Sequence, residues 1–334
     1  MGIQYQVLGD PGRDNALLVR VSAGRTVRRF LFDCGAGCLD TLSATEIRVI
    51  DALFFSHLHL DHVAGFDTFL RFNFGRLRGP VLIYGPAGTT RIIHHRLRGV
   101  AWNLIAGQPG EFHVADVVLG RRVTTRFLAA EAFTHAHPAG TEPFRDVVHE
   151  IQGLRVQARI MDHGIPCLAY AVRERPRFNL DGTALARTGL RPGPWIKSLM
   201  SPAHGDGESL VIDGTTYPLG ELRRQLVATV PGGLAYLTDF VLDRRAEREL
   251  EGLLRGCEVI VGAARYRDAD IERAHRYRHL TGSELGRLAT GVGARRLVLF
   301  HLARRATSEQ WRELREEVRR IFPAASFPNR WGLE

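Results

Sequence analysis

Ser56-His57-Leu58-His59-Leu60-Asp61-His62 is the stretch on which the reading of this chain turns. Three imidazoles and one carboxylate fall within six residues, in the order H-x-H-x-D-H. The run Val49 to Phe55 ahead of it reads as a buried strand, and Val63 to Leu70 behind it repeats apolar residues at helical spacing. The motif therefore sits on a strand-to-helix loop. Alternate residues of an extended segment share a face, so His57 and His59 point the same way. The turn into the helix then brings Asp61 and His62 to its N-terminus. Two clusters of imidazole nitrogen and carboxylate oxygen on one short loop suit two divalent ions, and zinc commonly takes such donors. Chance spacing rarely places this pattern between a strand and a helix, which favours a metal site over a mere helix cap.

The chain has 334 residues, 45% apolar and 24% charged, enough for a large core. It lacks any uninterrupted apolar run of ~18 residues, and Met1 to Tyr5 has no signal-peptide character. A cytoplasmic protein with no membrane partner is expected. Cys34, Cys38, Cys167 and Cys257 fit reduced, packed thiols better than a disulfide framework. The net charge is +9, and nearly all the positive charge is arginine, Lys197 being the only lysine. A guanidinium fork grips phosphate oxygens in pairs, so the balance fits an anionic partner, a nucleic acid first. A GC-rich gene would explain arginine in place of lysine equally well, but not the surplus.

Outward from the motif, ligand-type side chains recur at strand ends. The strand Arg29 to Asp33 runs into Cys34-Gly35-Ala36-Gly37, and Asp33 is read as a carboxylate that steadies a metal ligand. A strand ending near Ile160 turns at His163-Gly164-Ile165-Pro166 into another. Gly233 to Asp239 is a strand ending in a carboxylate, and Arg296 to His301 one ending in a histidine. Helices are expected over Thr89 to Leu104, Leu242 to Leu254, Ile271 to Arg278 and Ser283 to Thr290. A last one opens at the capping box Thr307-Ser308-Glu309-Gln310 and runs through Phe322. His94 and His95 occupy adjacent, diverging helical positions. His135-Ala136-His137, followed by Pro138, reads as a loop feature, and neither pair is taken as a ligand set. From about 174 to 214 the periodicity fails and Pro, Gly and Arg accumulate. Such a stretch is too long for an ordinary connection, and is either disordered or a functional protrusion.

His57 with His59, His163, Asp239 and His301 thus stand at four strand ends, and side chains on one rim of a sheet converge. Here the sequence resembles the metallo-β-lactamase superfamily and, within it, the short-form ribonuclease Z family of tRNA 3′-processing endonucleases. The resemblance spans nearly the whole chain. It rests on Asp33-Cys34-Gly35-Ala36-Gly37, His57 to His62, His163-Gly164-Ile165-Pro166, Asp239, His279-Leu280-Thr281 and His301. The fold it implies is α/β, an αβ/βα sandwich of two mixed sheets flanked by helices. It would be a single domain over 1–334 with a protruding, exosite-like arm inserted at about 174–214.

Carried onto these residues, the resemblance implies one zinc on His57, His59 and His163 and a second on Asp61, His62 and His301, with Asp239 bridging. Mn2+ or Fe2+ would suit the same donors. Two such ions about 3.5–4 Å apart activate a water and stabilise charge at a phosphate. Asp61 would also orient or deprotonate that water. His279, not needed as a ligand, would steady the scissile phosphate or protonate the leaving 3′-oxygen. Arg173, Arg175, Arg177, Arg187 and Arg191 would give the arm its phosphate contacts to a precursor tRNA, setting affinity and register rather than sequence choice. A homodimer belongs to the same expectation, with one subunit's arm near the other's active site. Thr238-Asp239-Phe240 stands where the family has Gly-Asp-Thr, Gly262-Ala263-Ala264-Arg265 where it has His-Glu-Ala-Thr, and Ala36 where it has glutamate. The glutamate missing at Ala263 would have helped set the tautomer and pKa of His279. Two further readings stay open: a hydrolase of small phosphodiesters or other esters on the same fold, and a non-catalytic RNA-binding homologue.

Overall fold

Phe30, Phe32 and Phe54 face one hydrophobic core, while Leu31, Leu53 and Phe55, one position along, face another. Successive residues of a strand point to opposite sides, so strands apolar at both sets of positions must be covered on both faces. The computed structural model meets that demand with a sandwich. It describes every residue except Met1, Gly24, Arg25, Arg175, Pro176, Pro202, Pro231 and Glu334, and the backbone alone of residues 23, 177–179 and 228–230.

Two compact units divide the chain, residues 1–173 with 233–334 and residues 174–232. In the larger, eight strands form one sheet in chain order: Ile3–Leu8, Ala16–Ala23, Thr26–Phe32, Ala52–Phe54, Val81–Pro86, Glu111–Val118, Arg121–Leu128 and His137–Pro143. Thr26–Phe32 through Glu111–Val118 are parallel neighbours, and the strands outside them pair antiparallel. Seven strands form the second sheet, in the order Ala325–Ser326, Arg296–Phe300, Val259–Ala263, Gly233–Leu237, Pro166–Arg173, Leu154–Asp162 and Val147–Ile151. It too is mixed, parallel through Gly233–Leu237 and antiparallel beyond. Aromatic rings join the sheets: Phe32 stacks on Phe54 at 5.0 Å, and Tyr170 and Tyr236 of the second sheet lie 5.3 and 5.7 Å from Phe32. Phe66 and Phe69 of the helix Phe66–Asn73, with Ile93 of Thr89–Arg98, cover the outer face of the first sheet. Arg244–Leu254, Gly282–Gly291 and Ser308–Arg319 pack on the second. This is the two-sheet, helix-flanked architecture that the sequence implies.

Three local expectations change. The helix after the metal motif is two pieces, Leu60–Val63 and Phe66–Asn73, broken at Gly65, where a Cβ would lie 2.2 Å from the Gly35 carbonyl oxygen. The helix from Thr89 stops at Arg98, ahead of Gly99. His137 is not in a loop: it opens the edge strand His137–Pro143, and an edge is where a sheet tolerates the following Pro138.

The smaller unit is folded and keeps its own core of Leu185, Leu199, Ile212, Leu219, Leu222 and Leu226. Arg177–Leu180 pairs with Val227–Val230, Ser209–Ile212 with Thr215–Pro218, and three helices, Gly182–Thr188, Trp195–Leu199 and Leu219–Leu226, fill in around them. It runs to Gly232, past the residue 214 at which the loss of periodicity ends.

His149 puts an imidazole between the two sheets. It packs edge-on to Phe30 and shares a 3.1 Å hydrogen bond with the Tyr84 hydroxyl, while its Nε2 has no partner among the described residues. Burial, aided by Arg122, lowers its pKa to about 4. The unfolded chain takes up this proton near pH 6.5 and the folded chain only near 4, so stability is present above that window and falls as pH drops through it. In denaturant titrations, wild type should lose about 2 kcal/mol more than His149→Gln between pH 7 and 4.5.

Candidate metal centre

Each ligand-type residue reaches the centre for a local reason. His57 and His59 follow the strand Ala52–Phe54, His59 in extended backbone, and Asp61 and His62 come next in the short helix Leu60–Val63. His163 sits in the turn between Leu154–Asp162 and Pro166–Arg173. Asp239 follows Gly233–Leu237, and His301 ends Arg296–Phe300. His301 (φ +53°) and Asp33 (φ +57°) both adopt the left-handed backbone that stops a strand and swings the side chain aside, a conformation more common for Asp and His than for most residues.

The donors gather in groups. His57, His59 and His163 form one group and Asp61, His62 and His301 another, and within each the candidate ligand atoms lie within 4.8 Å of one another. Asp239 stands between them. Its Oδ2 is 4.0 Å from His57 Nε2, 3.5 Å from His62 Nε2 and 3.1 Å from His301 Nε2. His279 completes a further possible group with His163 and Asp239, its Nδ1 3.3 Å from Asp239 Oδ1.

Hydrogen bonds fix which ring nitrogens face inward. His62 Nδ1 donates to Asp33 Oδ2 at 2.7 Å and His163 Nδ1 to the Arg278 carbonyl at 2.8 Å, which turns each Nε2 inward; at His163 it is a lone pair, and at His62 it becomes one when a metal ion displaces the proton. The Ser56 hydroxyl donates to Asp33 at 2.7 Å and faces His57 Nδ1 at 3.1 Å, which assigns that nitrogen the proton and turns the His57 Nε2 lone pair towards His59 Nδ1, 3.1 Å away. Asp33 also accepts the Ser56 N–H at 2.6 Å and the Tyr236 hydroxyl at 2.9 Å. Burial holds the pKa values of His57, His59 and His163 below the usual imidazole range, keeping them neutral and ready to ligate. Burial draws His62 down as well, but Asp33 and Asp239 together outweigh it and hold it well above that range. Asp239 is pushed up by burial and drawn well down by His301, His279 and His62.

The residues fit a metal. His62 Nε2, His301 Nε2 and Asp239 Oδ1 are buried without a hydrogen-bond partner among the described residues. Leaving such atoms unpaired is costly, and cations held by these donor sets would offset that cost.

Asp33 lies where a supporting carboxylate should. Of the arm arginines, Arg187 and Arg191 are exposed in the smaller unit. Arg175 lies outside the described residues, and Arg177 is described by backbone alone. Arg173 corrects the expectation: it belongs to the larger unit, and its guanidinium donates to the Leu253 and Arg255 carbonyls at a helix C-terminus. Sequence reasoning gave no role to Ser56, Tyr236, Asp14 or Asn15. Asn15 Oδ1 accepts the His301 N–H at 3.2 Å. The strand-end rule would have flagged Asp14 and Asn15, since their loop follows the strand Ile3–Leu8.

Residues 28–164 match the β-lactamase superfamily domain, and the two-sheet sandwich is the metallo-β-lactamase fold. The chain is 41% identical over 326 residues to a ribonuclease Z from Deinococcus radiodurans, covering 97% of each protein. It is 28% identical to one from Bacillus licheniformis over 88% of this chain and 84% of that one. The chain belongs to the ribonuclease Z family. The crystal structure of human tRNase Z, short form, shares the fold, with a TM-score of 0.51 at 17% identity over 90% of this chain and 93% of that one.

Adding Zn2+ to metal-free protein should raise its unfolding temperature, the gain reaching roughly 2.7 kcal/mol at a hundredfold excess over Kd. Asp239→Ala should remove most of the rise, as read by thermal unfolding with and without chelator.

Proposed function

We propose that this protein is a metal-dependent endoribonuclease that removes the 3′ trailer of precursor tRNA. The observation that carries the reading is the pair of donor sets meeting at Asp239, with buried lone pairs aimed between them. It sits in a chain of ribonuclease Z kinship from end to end. His57, His59 and His163 would hold one ion and Asp61, His62 and His301 the other, with Asp239 shared. Nitrogen with carboxylate oxygen favours zinc. Ions bound there supply Lewis acidity and an activated water at neutral pH.

The remaining work falls to this chain's side chains. Asp61 is half-buried, with one oxygen 3.9 Å from both His62 and His301, and is placed to orient the attacking water and take its proton. His279, outside the two main donor sets, is placed to protonate the 3′-oxygen as the P–O bond breaks. Beside Asp61 and His301 opens a cleft of about 780 Å³ whose lining includes Arg13, Arg265, Arg273, Arg304 and Arg305. Among the described residues only Arg304 of these five has a carboxylate partner, so the other four are available to phosphates. Exposed Arg187 and Arg191 extend that capacity to the smaller unit. No helix among the described residues is long and apolar enough to cross a membrane. Two zinc ions per subunit, a homodimer and a cytoplasmic address complete the proposal, resting on the family.

Zinc-loaded protein should cut a precursor tRNA at the acceptor end, and Asp61→Ala should lower kcat at least roughly hundredfold. Absence of cleavage, with Asp61-dependent turnover of a small phosphodiester, would overturn the tRNA reading in favour of a small-ester hydrolase. Doubly substituted Arg265→Ala/Arg273→Ala should raise KM with little change in kcat and flatten the salt dependence, by about one unit of slope per lost phosphate contact.

A further inference from the structure

The geometry points to Asp14 as a positioning residue for the donor set Asp61, His62 and His301, an inference that rests on the two-ion reading above. Asp14 is 9% exposed, and its carboxylate reaches two other loops at once. Oδ2 accepts the Ala36 N–H at 3.0 Å, and Oδ1 meets Arg304 Nη2 at 3.1 Å. Its backbone carbonyl accepts the Cys38 thiol at 3.3 Å.

Each loop so held touches the donor set. Ala36 belongs to the loop that begins at Asp33, the partner of His62. In that loop Cys34 N–H donates to the His62 carbonyl and Gly65 N–H to the Cys34 carbonyl, both at 2.8 Å. Arg304 belongs to the loop that follows His301, and neighbouring Asn15 holds the His301 N–H at 3.2 Å. The Asp14-Asn15 pair therefore stitches the loop of His301 to the loop beneath His62. Gly35 packs closely against both Asp14 and Asp61: a Cβ on it would lie 2.5 Å from the Asp14 Cβ and from the Asp61 carbonyl oxygen. The glycine loop has no carboxylate of its own at Ala36, and Asp14 sets one against that residue's N–H. His163 has no such link; it hangs from the Arg278 carbonyl.

A purely structural role forecasts something else. The Arg304 side chain is 67% exposed, and so open an ion pair adds little to stability. Loosening the clasp should show in how one ion is held, not in whether the chain folds. Groups that orient metal ligands typically change affinity by about 10–100-fold.

The test titrates Zn2+ into metal-free wild type, Asp14→Ala, Asp14→Asn and Arg304→Ala by calorimetry with a competing chelator. Thermal unfolding of the same metal-free proteins runs in parallel, and Asp61→Ala marks which equivalent belongs to the second set. Wild type should take two equivalents. Asp14→Ala should bind the Asp61-dependent equivalent at least about tenfold more weakly and the other unchanged, with the metal-free unfolding temperature little moved. Asp14→Asn, which keeps an acceptor for the Ala36 N–H, should recover part of the loss. If Asp14→Ala does not fold, Arg304→Ala carries the test, with a severalfold loss in the same equivalent. Unchanged binding of that equivalent, or equal weakening of both, would overturn the inference. A wild type that takes fewer than two equivalents would instead sink the two-ion reading.

Discussion

A carboxylate with no exposed surface lies beneath the centre, and everything above it depends on that carboxylate being satisfied. Asp33 is fully buried, where an unpaired charge would be far too costly to keep. It is kept by the Ser56 N–H and hydroxyl, His62 Nδ1 and the Tyr236 hydroxyl, all within 2.9 Å. Those donors come from the motif loop, the short helix after it and the second sheet. One side chain thus ties the two sheets together at the rim where the ligands converge, and sets the His62 ring in the same act. The left-handed backbone at Asp33 follows from this placement, since the residue must leave its strand to point beneath the loop.

The charges above Asp33 are arranged against the folded chain's own comfort. Asp239 and the imidazoles around it are buried together, and three of their polar atoms have no hydrogen-bond partner among the described residues. Each such atom costs roughly 1–3 kcal/mol in a protein interior. Natural chains break the rule of satisfied polar groups mainly where function asks for it. The neutrality of His57, His59 and His163 belongs to the same design, because a protonated imidazole cannot ligate.

What the sequence showed was what is local. The H-x-H-x-D-H spacing carries its own geometry, and His163, Asp239 and His301 were legible because each ends a readable strand. The sheets were legible from apolar runs such as Leu53 to Phe55 and Val259 to Val261. The supports were not. Tyr236 meets Asp33 across 203 positions and Asn15 meets the His301 N–H across 286, and no window of sequence records such pairings. The smaller unit hid for another reason. Its core residues, from Leu185 to Leu226, are spread over strands of four residues and helices of five to eight, too short to show a period.

The glutamate missing at Ala263 bears on His279, and the surroundings of that ring weigh against a collapsed site. His279 is 7% exposed, its N–H is held by the Ala274 carbonyl at 2.9 Å, and its ring lies between His163 at 4.8 Å and Tyr266 at 5.2 Å. Directly after it, Thr281 and Glu284 close a capping box that anchors the helix Gly282–Gly291. Ring position is thus set by packing and by a capped helix rather than by one carboxylate. Its Nδ1 stands 3.3 Å from Asp239 Oδ1, which sets the ring against the donor sets. The ring's placement rests on contacts spread over several elements, which no single position of a motif reveals.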